Sequence, residues 1–201
     1  MAVAVAVAQR DRFWTYDDLR ELPDDGRRWE IVEGALVEMT GPSTAHGRVM
    51  RNLLTHLVPV LNRAAADWYA APLDVVLPDG SVVEPDLFAI LPGGSARTTP
   101  RAVTGAPDLV VEVVSPSNRR HDTVTKRALY EKAGVREYWL VDPETRTVEI
   151  LVLGGGTLHL RQRCAGADVV ASSLLPEVAF RAAEAFTGLD EIARDGGAEG
   201  A

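Results

Sequence analysis

The run Asp108-Leu109-Val110-Val111-Glu112-Val113-Val114 sets one carboxyl group in the middle of an otherwise apolar strand. An ionised side chain in that position is strongly disfavoured unless it is paired, reaches solvent at a strand end, or holds a cation. Any fold this chain adopts must therefore bring Glu112 a partner. Two Pro-Asp pairs, Pro85-Asp86 and Pro107-Asp108, supply candidates. Asp108 lies four residues back on the same strand, which at about 3.3 Å per residue separates the alpha carbons by roughly 13 Å, too far to share one ion. Asp86 stands on a different strand, and neighbouring strands are about 4.8 Å apart, so the two carboxyl groups converge if their strands pair.

With 201 residues, 46 % hydrophobic and 25 % charged, the chain suits a single domain with a real core. We expect that domain over residues 13–189, flanked by disordered tails at 1–12 and 190–201, the second rich in Gly and acidic residues. The apolar start, Met1 to Ala8, lacks a basic leader and runs straight into Gln9-Arg10-Asp11-Arg12, which argues against a signal peptide. No apolar run approaches the ~20 residues of a membrane-spanning helix, so no membrane partner is expected. A lone Cys164 cannot form an internal disulfide and fits a cytoplasmic protein. The formal net charge of −8 argues against a large basic groove for nucleic acid but allows a local patch.

Thr15-Tyr16-Asp17-Asp18 reads as a capping box for a short helix to about Leu22. Arg28–Val32 and Leu36–Met39 flank Glu33-Gly34 as a hairpin. Ser43 caps a long helix in which His46, Met50, Leu53, Leu57 and Val60 share a face, and Pro59 should kink or shorten its end. Strands follow at Leu73–Leu77 and Val82–Ile90, the second bulged or at a sheet edge because of Pro85, and residues 91–106 read as irregular. After the Glu112 strand, a helix from about Thr123 to Ala133 is bracketed by Asp122 and Gly134. Three strands over 136–141, 147–153 and 157–163 and a short helix near 182–186 complete an α+β pattern, a mixed sheet with helices packed on it.

Two converging carboxyl groups repel each other and are tolerated best around a cation such as Mg²⁺ or Mn²⁺, with the carbonyl of Val113 as a further ligand. That arrangement suits phosphodiester hydrolysis, where a nearby side-chain cation stabilises charge in the transition state. Lys126 is the candidate: it lies one turn into the next helix, on the face of Tyr130, within the densest basic cluster of the chain. Arg119, Arg120 and Arg127 of that cluster are candidate phosphate contacts. His46, beside Met50 and Leu53, fits a core or a catalytic role. Asp108 reads as the opening residue of its strand. A non-catalytic binding module and a hydrolase of small phosphate esters are the competing functions.

The segments Trp29–Gly34, the helix near His46, Val83-Glu84-Pro85-Asp86-Leu87, Pro107–Ser117, Lys126 with Tyr130, and Glu137–Asp142 together resemble the Uma family of the PD-(D/E)XK nuclease superfamily, over about Tyr16 to Leu153. The resemblance implies a restriction-endonuclease-like fold and a homodimer. With the acidic pair and its Mg²⁺ or Mn²⁺, the leading expectation is an endonuclease acting on DNA, which an acidic chain with few phosphate contacts binds weakly and without sequence preference. The resemblance maps Asp86 and Glu112 onto the two metal-binding acids and favours Glu30 over Glu33 as a third acid. Val114 stands where the superfamily pattern has lysine, and the resemblance implies that Lys126 supplies the missing ammonium from the adjoining helix.

Overall fold

The computed structural model describes residues 12–195. Thr15 and Asp18 form the reciprocal capping box that starts α1 (Tyr16–Arg20). The hairpin of β1 (Arg28–Val32) and β2 (Ala35–Met39) turns through Glu33 and Gly34 at φ 48° and 80°, a mirror-image turn that follows the strand twist. Ser43 caps α2 (Thr44–Arg63) by accepting the His46 amide. The expected shortening at Pro59 does not occur: Leu57, Val60 and Leu61 are buried against the main core, and that packing outweighs the hydrogen bond Pro59 cannot make.

Next come β3 (Asp67–Ala70), β4 (Val75–Val76), β5 (Val82–Val83), β6 (Leu87–Ile90), β7 (Arg97–Thr98), β8 (Val103–Thr104) and β9 (Leu109–Val113). A π-helical turn, His121–Lys126, continues into α3 (Arg127–Ala133), which ends at Gly134 with φ 91°. Then follow β10 (Glu137–Asp142), β11 (Thr147–Gly154), β12 (Thr157–Ala165), β13 (Val169–Ala171), β14 (Ala179–Arg181), α4 (Ala182–Ala185) and α5 (Leu189–Asp195).

Two sheets of six strands carry the fold, in the orders β2-β1-β5-β4-β8-β7 and β12-β11-β10-β9-β6-β3. The second is mixed, since β9 runs parallel to β10 and antiparallel to β6. The single strand expected over 82–90 is instead divided between the sheets, because Pro85 has no amide hydrogen to continue a ladder and the chain crosses over at Glu84-Pro85-Asp86. Leu87 faces Val111 in the β6–β9 ladder, so the next register positions outward are Asp86 and Glu112. Alternation sends Leu109, Val111 and Val113 into the core shared with α2, and Val110 and Val114 into the one beneath α3. Glu112 shares the α3 side, which is why the helix meets it.

Other differences from the sequence reading have local causes. The stretch 91–106 contains β7 and β8, too short to show any alternation. Asp122 does not cap the helix after it; its Oδ2 accepts the Ser115 amide at 3.3 Å, and the helix begins with the wider π turn. The pair β13–β14 was not anticipated, and α5 occupies 189–195 where a tail was expected from 190. The remaining tail residues, 1–11 and 196–201, lie outside the described residues.

Glu137 shows how the apolar strands accommodate a second acid. It is wholly buried, and its carboxyl oxygens accept from Trp139 Nε1 (2.7 Å), Ser172 Oγ (2.6 Å) and the Ser173 amide (2.6 Å). Glu137→Leu should lower stability by about 3 kcal/mol, because buried donors left without acceptors cost about 1–3 kcal/mol each. Urea denaturation measures it, and a loss under about 1 kcal/mol would refute the role.

Candidate active site

The exit of β9, the crossover at Asp86, the hairpin β1–β2, the first turn of α2 and the π turn surround a cleft of about 50 Å³, room for an ion with a few waters. Asp86 is fixed at its wall: Oδ2 accepts the Val113 amide at 2.8 Å and lies 3.0 Å from His46 Nε2. Glu112 is held through Oε1, which accepts from Tyr130 OH at 2.7 Å and Lys126 Nζ at 3.0 Å. Lys126 also lies 2.9 Å from Glu30 Oε1, and Glu30 in turn bonds His121 Nε2 (2.8 Å) and the Glu84 amide (2.9 Å). Arg28 pairs with Glu84 at the cleft edge.

The π turn explains how Lys126 reaches this position. A wider turn inserts one residue relative to the α-helical repeat, so Lys126 and, four residues on, Tyr130 both point at Glu112 while His121 points at Glu30. Lys126 is buried, with both carboxyl groups holding its ammonium.

The two acids beside Lys126 differ in their protonation. Burial alone would raise the pKa of Glu30, but the Lys126 ammonium and the bond to His121 prevail and hold it at about 2. Burial dominates at Glu112, and repulsion from Asp86, Asp122 and Glu30 adds to it; against the pull of Lys126 these raise its pKa to about 8. Asp122 is raised to about 6, again chiefly by burial, with Lys126 opposing. The lysine thus neutralises Glu30, and the cleft keeps a surplus of acid groups around Glu112.

The donor set fits a hard divalent cation. Asp86 Oδ1 and Glu112 Oε2 accept no hydrogen bond among the described residues, and both side chains line the cleft together with Val113. No group of three or more His, Cys, Asp or Glu side chains among the described residues is arranged to hold a metal. Two carboxyl groups supplemented by a carbonyl and water are the set Mg²⁺ takes, whereas a structural zinc site needs more protein ligands.

Every residue singled out from sequence can now be placed. Asp86, Glu112, Val113, Lys126, Glu30 and His46 all line one cleft, His46 as the neighbour of Asp86 rather than a core residue. Asp108 is structural, accepting the Leu91 amide at 2.8 Å and Arg136 Nη1 at 2.9 Å. The basic cluster is dispersed. Arg119 binds Asp142 (2.8 Å) and Glu144 (2.7 Å), Arg127 donates to the Leu158 carbonyl (2.8 Å), and Arg120 is exposed; none of the three lines the cleft. Missed were His121, Asp122 and Asn118, whose spacing follows the π turn and its preceding loop and so gives no α-helical periodicity.

Residues 16–183 match the Uma2 family, described as "Putative restriction endonuclease". The fold is similar to the crystal structure of "a putative nuclease belonging to DUF820" from Anabaena variabilis, with a TM-score of 0.71 at 18 % identity, covering 87 % of this chain and 98 % of that one. No curated protein matches the chain. Among the described residues no helix is long and apolar enough to cross a membrane.

Proposed function

Because this chain belongs to the Uma2 family, we propose that it is a Mg²⁺- or Mn²⁺-dependent endonuclease that hydrolyses phosphodiester bonds, with DNA as its substrate. The observation that carries this reading is Lys126 Nζ at 3.0 Å from Glu112, which supplies from the π turn the ammonium that Val114 cannot. Asp86, Glu112 and the Val113 carbonyl would hold the metal, which when bound polarises a phosphoryl oxygen and makes water a better nucleophile.

The chain's own residues do the rest. Lys126 places a fixed positive charge at the base of the cleft, where it stabilises negative charge developing on the phosphoryl group. Glu30 and His121 hold that ammonium in place, and Tyr130 fixes Oε1 of Glu112 so that Oε2 faces the cleft. His46 does the same for Asp86 through Oδ2. Of the arginines expected to contact phosphate, Arg120 is the exposed one, while Arg119 and Arg127 are bonded to the protein's own oxygens. Binding is accordingly weak, salt-dependent and indifferent to sequence. Cutting both strands of a duplex requires two such sites, which a homodimer provides.

The test combines plasmid nicking with thermal melting in Mg²⁺ and Mn²⁺. The wild type should nick DNA and gain melting temperature with metal, while Asp86→Asn should fold, lose activity by at least a hundredfold and show no metal-dependent gain. An equal metal-induced gain in both proteins would place the ion elsewhere. Inertness of the wild type on every phosphodiester tried would remove the nuclease reading.

A further inference from the structure

We infer that the apolar cavity beside the acidic cleft is a nucleobase subsite, which takes one unstacked base of the strand whose phosphate lies in the cleft. The place of the phosphate rests on the nuclease reading; the cavity and the space it keeps do not. The cleft itself, at about 50 Å³, is too small for a nucleoside. Next to it lies a second cavity of about 380 Å³, within the range of small-molecule sites. The two share Arg28, His46 and Asp86 as a common wall, so a phosphoryl group beside Asp86 brings its own nucleoside to the mouth of the larger one.

Small and apolar groups build this cavity. Ser43, Gly47, Met50 and Leu54 stand four, three and four residues apart and so form one stripe along α2. Met50 and Leu54 are half-buried, packing in part on the main core while they line the cavity. The loop Ala70-Ala71-Pro72, after β3, supplies another wall. Its Ala71 amide donates to the Asp86 carbonyl at 3.1 Å, which fixes that wall relative to the acid.

Gly47 carries the argument from an apolar hollow to a ligand. Within a helix, glycine is the least favourable residue after proline, so one on a cavity stripe calls for a cause. Packing supplies none: position 47 has ordinary helical backbone, and a Cβ there would meet no atom of the described residues within 4 Å outside its own helix. What the missing side chain leaves is room. An apolar space kept open beside a phosphate site suits the flat face that every base presents, and stacking on such a face is indifferent to sequence. In a duplex the base must first leave the stack, which favours a single strand as substrate.

The experiment measures, in Mg²⁺, the binding of deoxythymidine 5′- and 3′-monophosphate and of deoxyribose 5-phosphate, which lacks the base, to the wild type and to Gly47→Leu. The wild type should bind at least one nucleotide tenfold or more tightly than the sugar phosphate. Gly47→Leu, which fills the cavity, should melt at or above the wild-type temperature and bind the sugar phosphate as the wild type does, without the gain from the base. Wild-type kcat/KM should be at least tenfold higher on a single strand than on the same strand in a duplex, and Gly47→Leu should lose that difference. A wild type that binds the nucleotides no better than the sugar phosphate, or binds none of the three, overturns the inference without any variant. So does a base preference retained by Gly47→Leu, or equal cleavage of single strand and duplex. A lower melting temperature for Gly47→Leu also overturns it, since the chain itself or a second copy then occupies the space. If the wild type cleaves no phosphodiester yet shows a base preference that Gly47→Leu lacks, the nuclease reading fails and the subsite stands; cleavage without any base preference does the reverse.

Discussion

Lys126→Met should abolish cleavage and also lower stability by about 3–5 kcal/mol, the usual cost of removing one member of a buried ion pair. Both effects follow from a single ammonium shared between Glu30 and Glu112. Without it Glu30, held ionised largely by Lys126, is left buried with only His121 and a backbone amide to stabilise it. The two losses separate in the double variant Glu30→Gln with Lys126→Met, where no unpaired buried charge remains. Most of the stability should return. Activity should not, because the charge that stabilises the transition state is still missing. Equilibrium denaturation and single-turnover cleavage on both variants are the measurements. Wild-type cleavage by Lys126→Met would remove this lysine from the chemistry, and no recovery in the double variant would mean that Lys126 acts on the fold by some other route.

Much of this site was legible because its elements break a pattern. An acid amid valines at Glu112 and an imino acid ahead of Asp86 are visible in any single reading of the chain, and strand spacing then selects Asp86 over Asp108. The long hairpins were equally legible, since β10 is a mostly apolar run, β11 and β12 are long enough to show exposed and buried positions, and all three are bounded by turn residues. Strands of two residues, such as β5 and β7, carry no period, and the division of 82–90 between two sheets depends on partners elsewhere. His121 follows directly on Arg119 and Arg120 in sequence, yet it serves Glu30, a residue 91 positions away in the other sheet. The arginines show the converse error. Local basic density reveals nothing about which acids fold against it, and Asp142 at the end of β10 and Glu144 in the turn after it claim Arg119.

Glu112→Gln should make the metal-free protein more stable at alkaline pH and flatten its stability profile between about pH 4.5 and 8. The folded-state pKa of Glu112 is raised from 4.5 to about 8, so at neutral pH the folded chain holds a proton that the unfolded chain has released. Stability contributed by that proton is full below the unfolded value and is lost as pH rises through the folded one, at about 1.4 kcal/mol per pH unit. Asp122 and Asp74, both raised to about 6 chiefly by burial, add the same sign at the acidic end of this window. Glu30, lowered to about 2, acts oppositely, and its contribution is lost only as pH falls below its unfolded value of 4.5. Gln keeps an acceptor for Lys126 and Tyr130 but has no proton to lose, so the wild type and the variant should diverge by a few kcal/mol above pH 8. Mg²⁺ should also flatten the wild-type profile, because a cation replaces the proton that the surplus of acids otherwise requires, and it should leave the variant nearly unchanged. Urea denaturation from pH 5 to 9 decides the matter. Parallel profiles for the two proteins would mean that Glu112 is ionised throughout, with Lys126 committed to it rather than to Glu30.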